Sequence, residues 1–207
     1  MKHFFILLCI VFASLPMKAQ QFNGGIMAGL VSSQVAGDTY AGFNKAGFAV
    51  GFFVGLDLNK STTIGMELHF IQKGSRYNDT TFQEDQLQYL LRLNYVDLPL
   101  LYQYRTNRFL FEAGISTSFL LSSYEAMDFY ESTYDNWRRI CFNSVFGVKF
   151  QITPALLVGV RTSNSINSIR KNVVVGNVYR YNRNSYGEFN DVLQLSLYYQ
   201  FNSLGEK

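Results

Sequence analysis

The stretch Gly47-Phe48-Ala49-Val50-Gly51-Phe52-Phe53-Val54-Gly55-Leu56-Asp57-Leu58 decides the fold. Its even positions, Phe48 to Leu58, are all bulky and apolar. Its odd positions are small or charged, with Phe53 the exception. A repeat of two is the period of a β-strand, whose neighbouring side chains point to opposite faces. The distribution of bulk then decides the environment. A soluble eight-stranded barrel of lipocalin type would turn its apolar face inward and its polar face to water. Here the face of glycine, serine and isolated charges suits a narrow interior. The face of Phe, Tyr, Leu and Val suits lipid.

The same alternation recurs along the chain. Ile64, Met66, Leu68 and Phe70 oppose Gly65, Glu67 and His69. Val96, Leu98, Leu100, Tyr102 and Tyr104 oppose Tyr95, Asp97, Leu101 and Gln103. Phe109 to Phe119, Phe142 to Ile152, Leu156 to Val160 and Leu193 to Phe201 repeat it, and a weaker first strand runs from Phe22 to Val31. These segments predict eight strands. Their connections alternate in length, with tight turns at Asn59-Lys60-Ser61, Arg105 to Arg108 and Thr153-Pro154-Ala155. Long polar loops are expected near 34–45, 74–93, 124–139 and 166–190. Short turns on one side and long loops on the other are how bacterial outer-membrane barrels are built. The predicted fold is therefore all-β: an eight-stranded antiparallel transmembrane β-barrel with short periplasmic turns and long extracellular loops. Tyr102, Tyr104, Phe109, Phe111, Phe150, Tyr199 and Phe201 fall near the short-turn ends, where an aromatic girdle belongs. Pro99 removes a ladder donor inside a strand and predicts a bulge or kink there.

Composition agrees. Aromatics make up 16% of the 207 residues and charged residues also 16%, below the usual quarter. After the N-terminus no apolar run approaches the length of a spanning helix, so closed strands are the remaining way to satisfy a backbone in lipid. Lys2 and His3, the apolar run Phe4 to Leu15 and small Ala19 read as a cleavable signal peptide over 1–19. That leaves a barrel over 20–201 and a short extension over 202–207. Cys9 lies in the expected signal peptide, so Cys141 stands alone and no intramolecular disulfide is expected. The formal charge of +3, without a Lys/Arg run, excludes nucleic acid as an expected partner. The expected location is the outer membrane and the expected partner its lipid.

Several motifs carry a family resemblance. Gly25-Ile26-Met27-Ala28-Gly29-Leu30, Gly37-Asp38 and Phe43-Asn44-Lys45-Ala46-Gly47-Phe48 resemble the opening of PorT-like outer-membrane β-barrel proteins of Bacteroidetes. Glu67-Leu68 with Gln72-Lys73-Gly74-Ser75 is similar to the third-strand motif of that family. Leu93-Asn94-Tyr95-Val96-Asp97-Leu98-Pro99-Leu100-Leu101 is similar to its fourth-strand hallmark, proline included. The resemblance covers roughly the first five strands. It implies the same fold and compartment, and its namesake implies a role in type IX secretion. The last strand, ending on Phe201, resembles the C-terminal signal read by outer-membrane assembly machinery.

Chemistry-bearing groups are few. Glu67, His69, Asp97, Glu112, Lys149 and Arg161 point inward by parity. Carboxylates beside a histidine are compatible with general acid–base work. An eight-stranded interior is only wide enough for its own side chains, however, so the six are expected to neutralise one another as a structural cluster. Glu112 and Lys149 lie at matching heights above adjacent short turns and are expected to pair. No nucleophile motif, phosphate loop or metal-ligand spacing occurs, so no catalytic residue, cofactor or metal is expected. The third loop is acidic (Glu125, Asp128, Glu131, Asp135) and the fourth basic (Arg170, Lys171, Arg180, Arg183), so the two should attract. They also carry Phe129, Tyr130, Tyr134, Trp137, Tyr179, Tyr181 and Tyr186, residue types enriched where proteins bind partners. Three functional classes stay open: a structural or protein-interaction barrel acting through extracellular loops, a secretion subunit, and a small-barrel lipid enzyme.

Overall fold

The computed structural model describes residues 22–40, 42–78, 88–128, 130–132, 136–171, 178–180 and 182–201. The expected signal peptide and C-terminal extension lie outside the described residues. Eight long strands form the wall: β1 (Phe22–Ala36), β2 (Lys45–Asp57), β3 (Thr62–Asn78), β4 (Gln88–Thr106), β5 (Phe109–Met127), β6 (Ile140–Thr153), β7 (Leu156–Ser165) and β8 (Phe189–Phe201). Each pairs antiparallel with its sequence neighbour, and β1 pairs with β8 to close the ring. A two-residue piece, Tyr130–Glu131, extends the sheet beside β5. Val178–Arg180 and Asn182–Gly187 form a separate hairpin in the last long loop.

Alternation places the side chains as the sequence predicts. On β2, Phe48, Val50, Phe52 and Val54 are about half exposed on the outside, whereas Ala49 is buried inside. Tyr102, Tyr104, Phe109, Phe111, Tyr199 and Phe201 are exposed around the short-turn rim, with the Phe109 and Phe150 rings 5.2 Å apart. The turn between β4 and β5 is only Asn107-Arg108, and Asn107 takes a positive φ of 52° that asparagine tolerates.

Two expectations need correction. Pro99 makes no bulge: Met66 stays opposite Leu100 and His69 opposite Asp97, so the register is unchanged across it. Pairing with β3 is merely missing at Pro99 and Leu98, as the lost N–H requires. The irregularity lies instead between Asn94 and Tyr95, on the β5 side. The long-loop ends are also more ordered than expected. β1 continues to Ala36, β3 to Asn78, β4 begins at Gln88 and β5 reaches Met127. Most of the residues expected as loop over 74–93 are therefore strand.

The reason is an inversion of polarity. Near the short turns the outside is apolar and the inside mixed, with Glu67, Gln103, Glu112 and Lys149 buried among Leu101, Leu110 and Leu157. Towards the long loops, Val31, Val35, Ile71, Leu91, Leu93 and Tyr95 are buried inside the ring. Arg76 and Arg92 are exposed outside it. The interior is thus layered, with charged groups lower down and an apolar plug above.

Candidate functional site

All six inward groups expected from parity are buried. Four of them form a closed ring of ion pairs. Arg161 donates from Nη1 and Nη2 to the two oxygens of Glu67 at 2.7 Å each, and from Nε to Glu112 Oε1 at 2.7 Å. Lys149 Nζ lies 3.0 Å from Glu112 Oε2 and 3.2 Å from Glu67 Oε1. The expected Glu112–Lys149 pair is therefore present. Gln103 Nε2 donates to Glu112 Oε2 at 3.3 Å, and the Lys149 ammonium sits 3.8 Å from the centroid of the Tyr198 ring. Space for the ring comes from two glycines. A Cβ on Gly147 would meet Glu112 Oε1 at 2.7 Å, and one on Gly159 would meet Lys149 Cγ at 2.9 Å.

Asp97 is not in that ring. It accepts from Lys73 Nζ at 2.7 Å, and Lys73 also donates to Ser118 Oγ at 3.1 Å. Parity gave three inward carboxylates and two cations; Lys73 is the missing cation. It shares the face of Glu67, His69 and Ile71, so continuing the alternation past Ile71 finds it. His69 Nδ1 lies 3.6 Å from Glu67 Oε2 and makes no hydrogen bond among the described residues. Three carboxylates against three cations balance this layer, as low-dielectric burial demands.

The charged side chains of this layer, Glu67, Asp97, Glu112, Lys149 and Arg161, are all nearly fully buried. From the short-turn end a cavity of 20 Å³ reaches Glu67 and Lys149, room for about one water. On the other side the apolar plug begins with Tyr95. His69 lies within this buried layer, whose described carboxylates and cations compensate one another in charge.

The extracellular mouth is the second candidate. Its centre is Arg170, bonded to Glu125 and, at 2.7 Å, to Glu188, with its guanidinium 3.9 Å from the Trp137 ring. Tyr89 Oη donates to Glu125 Oε1 at 2.9 Å. The backbone ties the same two loops, from Arg138 N to Ile169 O and from Lys171 N to Asn136 O. Among the described residues, the expected attraction between the third and fourth loops is made by the ion pair of Arg170 with Glu125. Phe129, Tyr134, Asp135, Tyr181 and the side chain of Arg183 lie outside the described residues. Beside Arg170 opens a cavity of 340 Å³, with Tyr40 stacked on Tyr89 at 4.6 Å in its wall. Burial alone lowers the Arg170 guanidinium, but its bonds to Glu125 and Glu188 outweigh that and raise it above the ordinary arginine range. Burial pushes the Asp38 and Glu188 carboxyls up, against the opposing pull of Ser75 and Tyr40 on the first and of Arg170 on the second.

A family model described as outer membrane protein beta-barrel domain matches residues 18–171. The chain belongs to this outer-membrane β-barrel family. Solved structures agree at the level of fold. The attachment invasion locus protein Ail of Yersinia pestis is 15% identical, covering 87% of this chain and 99% of its own, with a TM-score of 0.51. Neisserial surface protein A is 12% identical, covering 87% and 97%, with a TM-score of 0.54. No curated protein sequence matches significantly. Membership places this outer-membrane barrel at the cell's outer membrane, where the exposed Phe, Leu and Val belt meets lipid.

Proposed function

We propose that this protein is a non-catalytic surface barrel whose interior serves stability and whose extracellular rim binds protein partners. One observation carries the reading: the interior is closed by a balanced set of ion pairs beneath an apolar plug. Such a core neither conducts nor offers a reactive group to a substrate. A lipid enzyme would need a nucleophile and base at the rim. The two histidines of the chain are His3 and His69, and His69 is deep in the wall. The rim does present Tyr130, Tyr179 and Tyr186 to solvent, with the last two rings 4.7 Å apart. Rigid exposed aromatics of this kind supply contact area at low entropic cost. Likeness to Ail at 15% identity supports the fold and does not carry attachment across. The type IX secretion role implied by the PorT-like resemblance has no contact in the barrel to support it.

Crosslinking capture from native membranes tests the proposal. Wild type should retain a defined partner that Tyr130→Ser/Tyr179→Ser loses while remaining a folded barrel. Planar-bilayer recording of the wild type should show no channel steps. Frequent stable openings would overturn the closed interior.

A further inference from the structure

The outer surface of β3, β4 and β5 changes character over two rows of side chains. Phe70, Val96 and Phe119 lie opposite one another on the three strands and form an apolar row facing lipid, with exposed Leu121 just beyond it on β5. The next outward row is Gln72, Asn94 and Ser122. It is tied side chain to side chain: Gln72 Nε2 donates to Asn94 Oδ1 at 3.1 Å, and Asn94 Nδ2 to Ser122 Oγ at 2.8 Å. Lys45 joins from β2, with Nζ 3.4 Å from Gln72 Oε1. A continuous polar row of this kind has no place among acyl chains and marks the upper edge of the hydrocarbon.

Just above it stand two exposed arginines. Arg92 is opposite Gly74 and Tyr124, with its guanidinium 5.9 Å from the Tyr124 ring, and Arg76 is opposite Leu90. Both lie close enough to Lys45 to interact with it electrostatically. Neither Arg76 nor Arg92 enters an ion pair with a described carboxylate. Lys45 beside them is buried and likewise pairs with no described carboxylate, so three cations gather at this edge without a described counter-charge.

We propose that Arg76 and Arg92 bind the phosphate of an outer-leaflet lipid headgroup, whose acyl chains lie on the Phe70–Val96–Phe119 row. Four features converge on a lipid. The cations sit one row (Arg92) and two rows (Arg76) above the hydrocarbon edge, at headgroup height. Guanidinium groups match phosphate in bidentate geometry. Gln72 and Asn94 beneath them add polar groups at the depth where a headgroup meets its chains. The aromatic Tyr124 beside Arg92 is itself a headgroup-level residue type. An attraction of about 1 kcal/mol per cation near an anionic surface makes the pair worth roughly 30-fold in binding.

The test uses the protein refolded into phosphatidylcholine vesicles with and without diphosphorylated lipid A. Lipid A should raise the unfolding temperature of the wild type in a salt-sensitive way. Arg76→Gln/Arg92→Gln should unfold at the wild-type temperature in pure phosphatidylcholine yet lose most of the lipid A shift. Its lipid A binding, counted by native mass spectrometry, should fall roughly 30-fold. An equal shift in the variant, or none in the wild type, overturns the proposal. So does an equal shift with dephosphorylated lipid A. Inorganic phosphate reproducing the shift in pure phosphatidylcholine would mark a free-anion site and overturn the lipid assignment.

Discussion

Along β4 the two ends of one strand follow opposite rules. Towards the short turn, Leu98, Leu100, Tyr102 and Tyr104 face outward while Asp97 and Gln103 are buried inside. Towards the long loop, Tyr89, Leu91, Leu93 and Tyr95 are buried inside, while Arg92 is exposed and Asn94 joins the outer polar row. β3 changes in the same place, from Met66 and Leu68 outside to Gln72 and Arg76. The lower wall is built for lipid and the upper wall for water. Hydrophobic burial acts at both ends, but lipid reverses which face counts as the apolar environment. The rejected soluble-barrel pattern therefore describes the upper third of these strands, while the membrane pattern describes the rest.

The largest expected effect tests the lower interior. Arg161→Leu leaves Glu67 and Glu112 facing each other with Lys149 alone between them, and should cost about 3–5 kcal/mol. Denaturant unfolding of the vesicle-embedded barrel measures it. A loss near zero would mean that the ring of ion pairs is not what holds that layer. An intermediate effect tests the boundary itself. A lysine at the lipid-facing midpoint, Leu100→Lys, should cost about 2–4 kcal/mol, whereas Asn94→Lys on the same face should cost about 0–1. Equal costs would remove the boundary from the Gln72–Asn94–Ser122 row.

The smallest effect concerns the mouth. Asp38 is raised above the ordinary 3.8 by burial. Such a carboxyl costs stability above its folded value, and the cost disappears as pH falls towards 3.8. Asp38→Asn keeps an oxygen for the Tyr40 N–H, which Asp38 Oδ1 accepts at 2.9 Å. The variant should be slightly more stable than wild type at neutral pH, with the gap closing on acidification. Melting curves across that range decide it, and a gap that widens towards acid sinks the assignment.

What the sequence disclosed follows from the same inversion. Where bulk faces lipid, as in Phe48 to Leu58, alternation is unmistakable, and parity alone found Glu67, His69, Asp97, Glu112, Lys149 and Arg161. In Leu90-Leu91-Arg92-Leu93 both faces carry leucine, with one arginine to mark the outside, so the pattern reads as loop. Lys73 escapes for a related reason: the clear alternation of β3 ends at Phe70, before Lys73 is reached. The pairing of Glu125 with Arg170 was legible as opposite charge on two loops. The role of Trp137 as the platform under that arginine needed the fold, because no spacing links positions so far apart in the chain.

The seam between β1 and β8 has a kinetic consequence. Gly24 lies opposite Phe201 and Ala36 opposite Phe189, so the final ladder joins the two ends of the barrel sequence. Hairpins such as β4–β5 close across two residues, whereas this ladder must wait for chain segments separated by almost the whole domain. Closure is therefore expected as the late, slow event of folding. Until it occurs, the sheet has two open edges whose amides and carbonyls need a partner within the membrane.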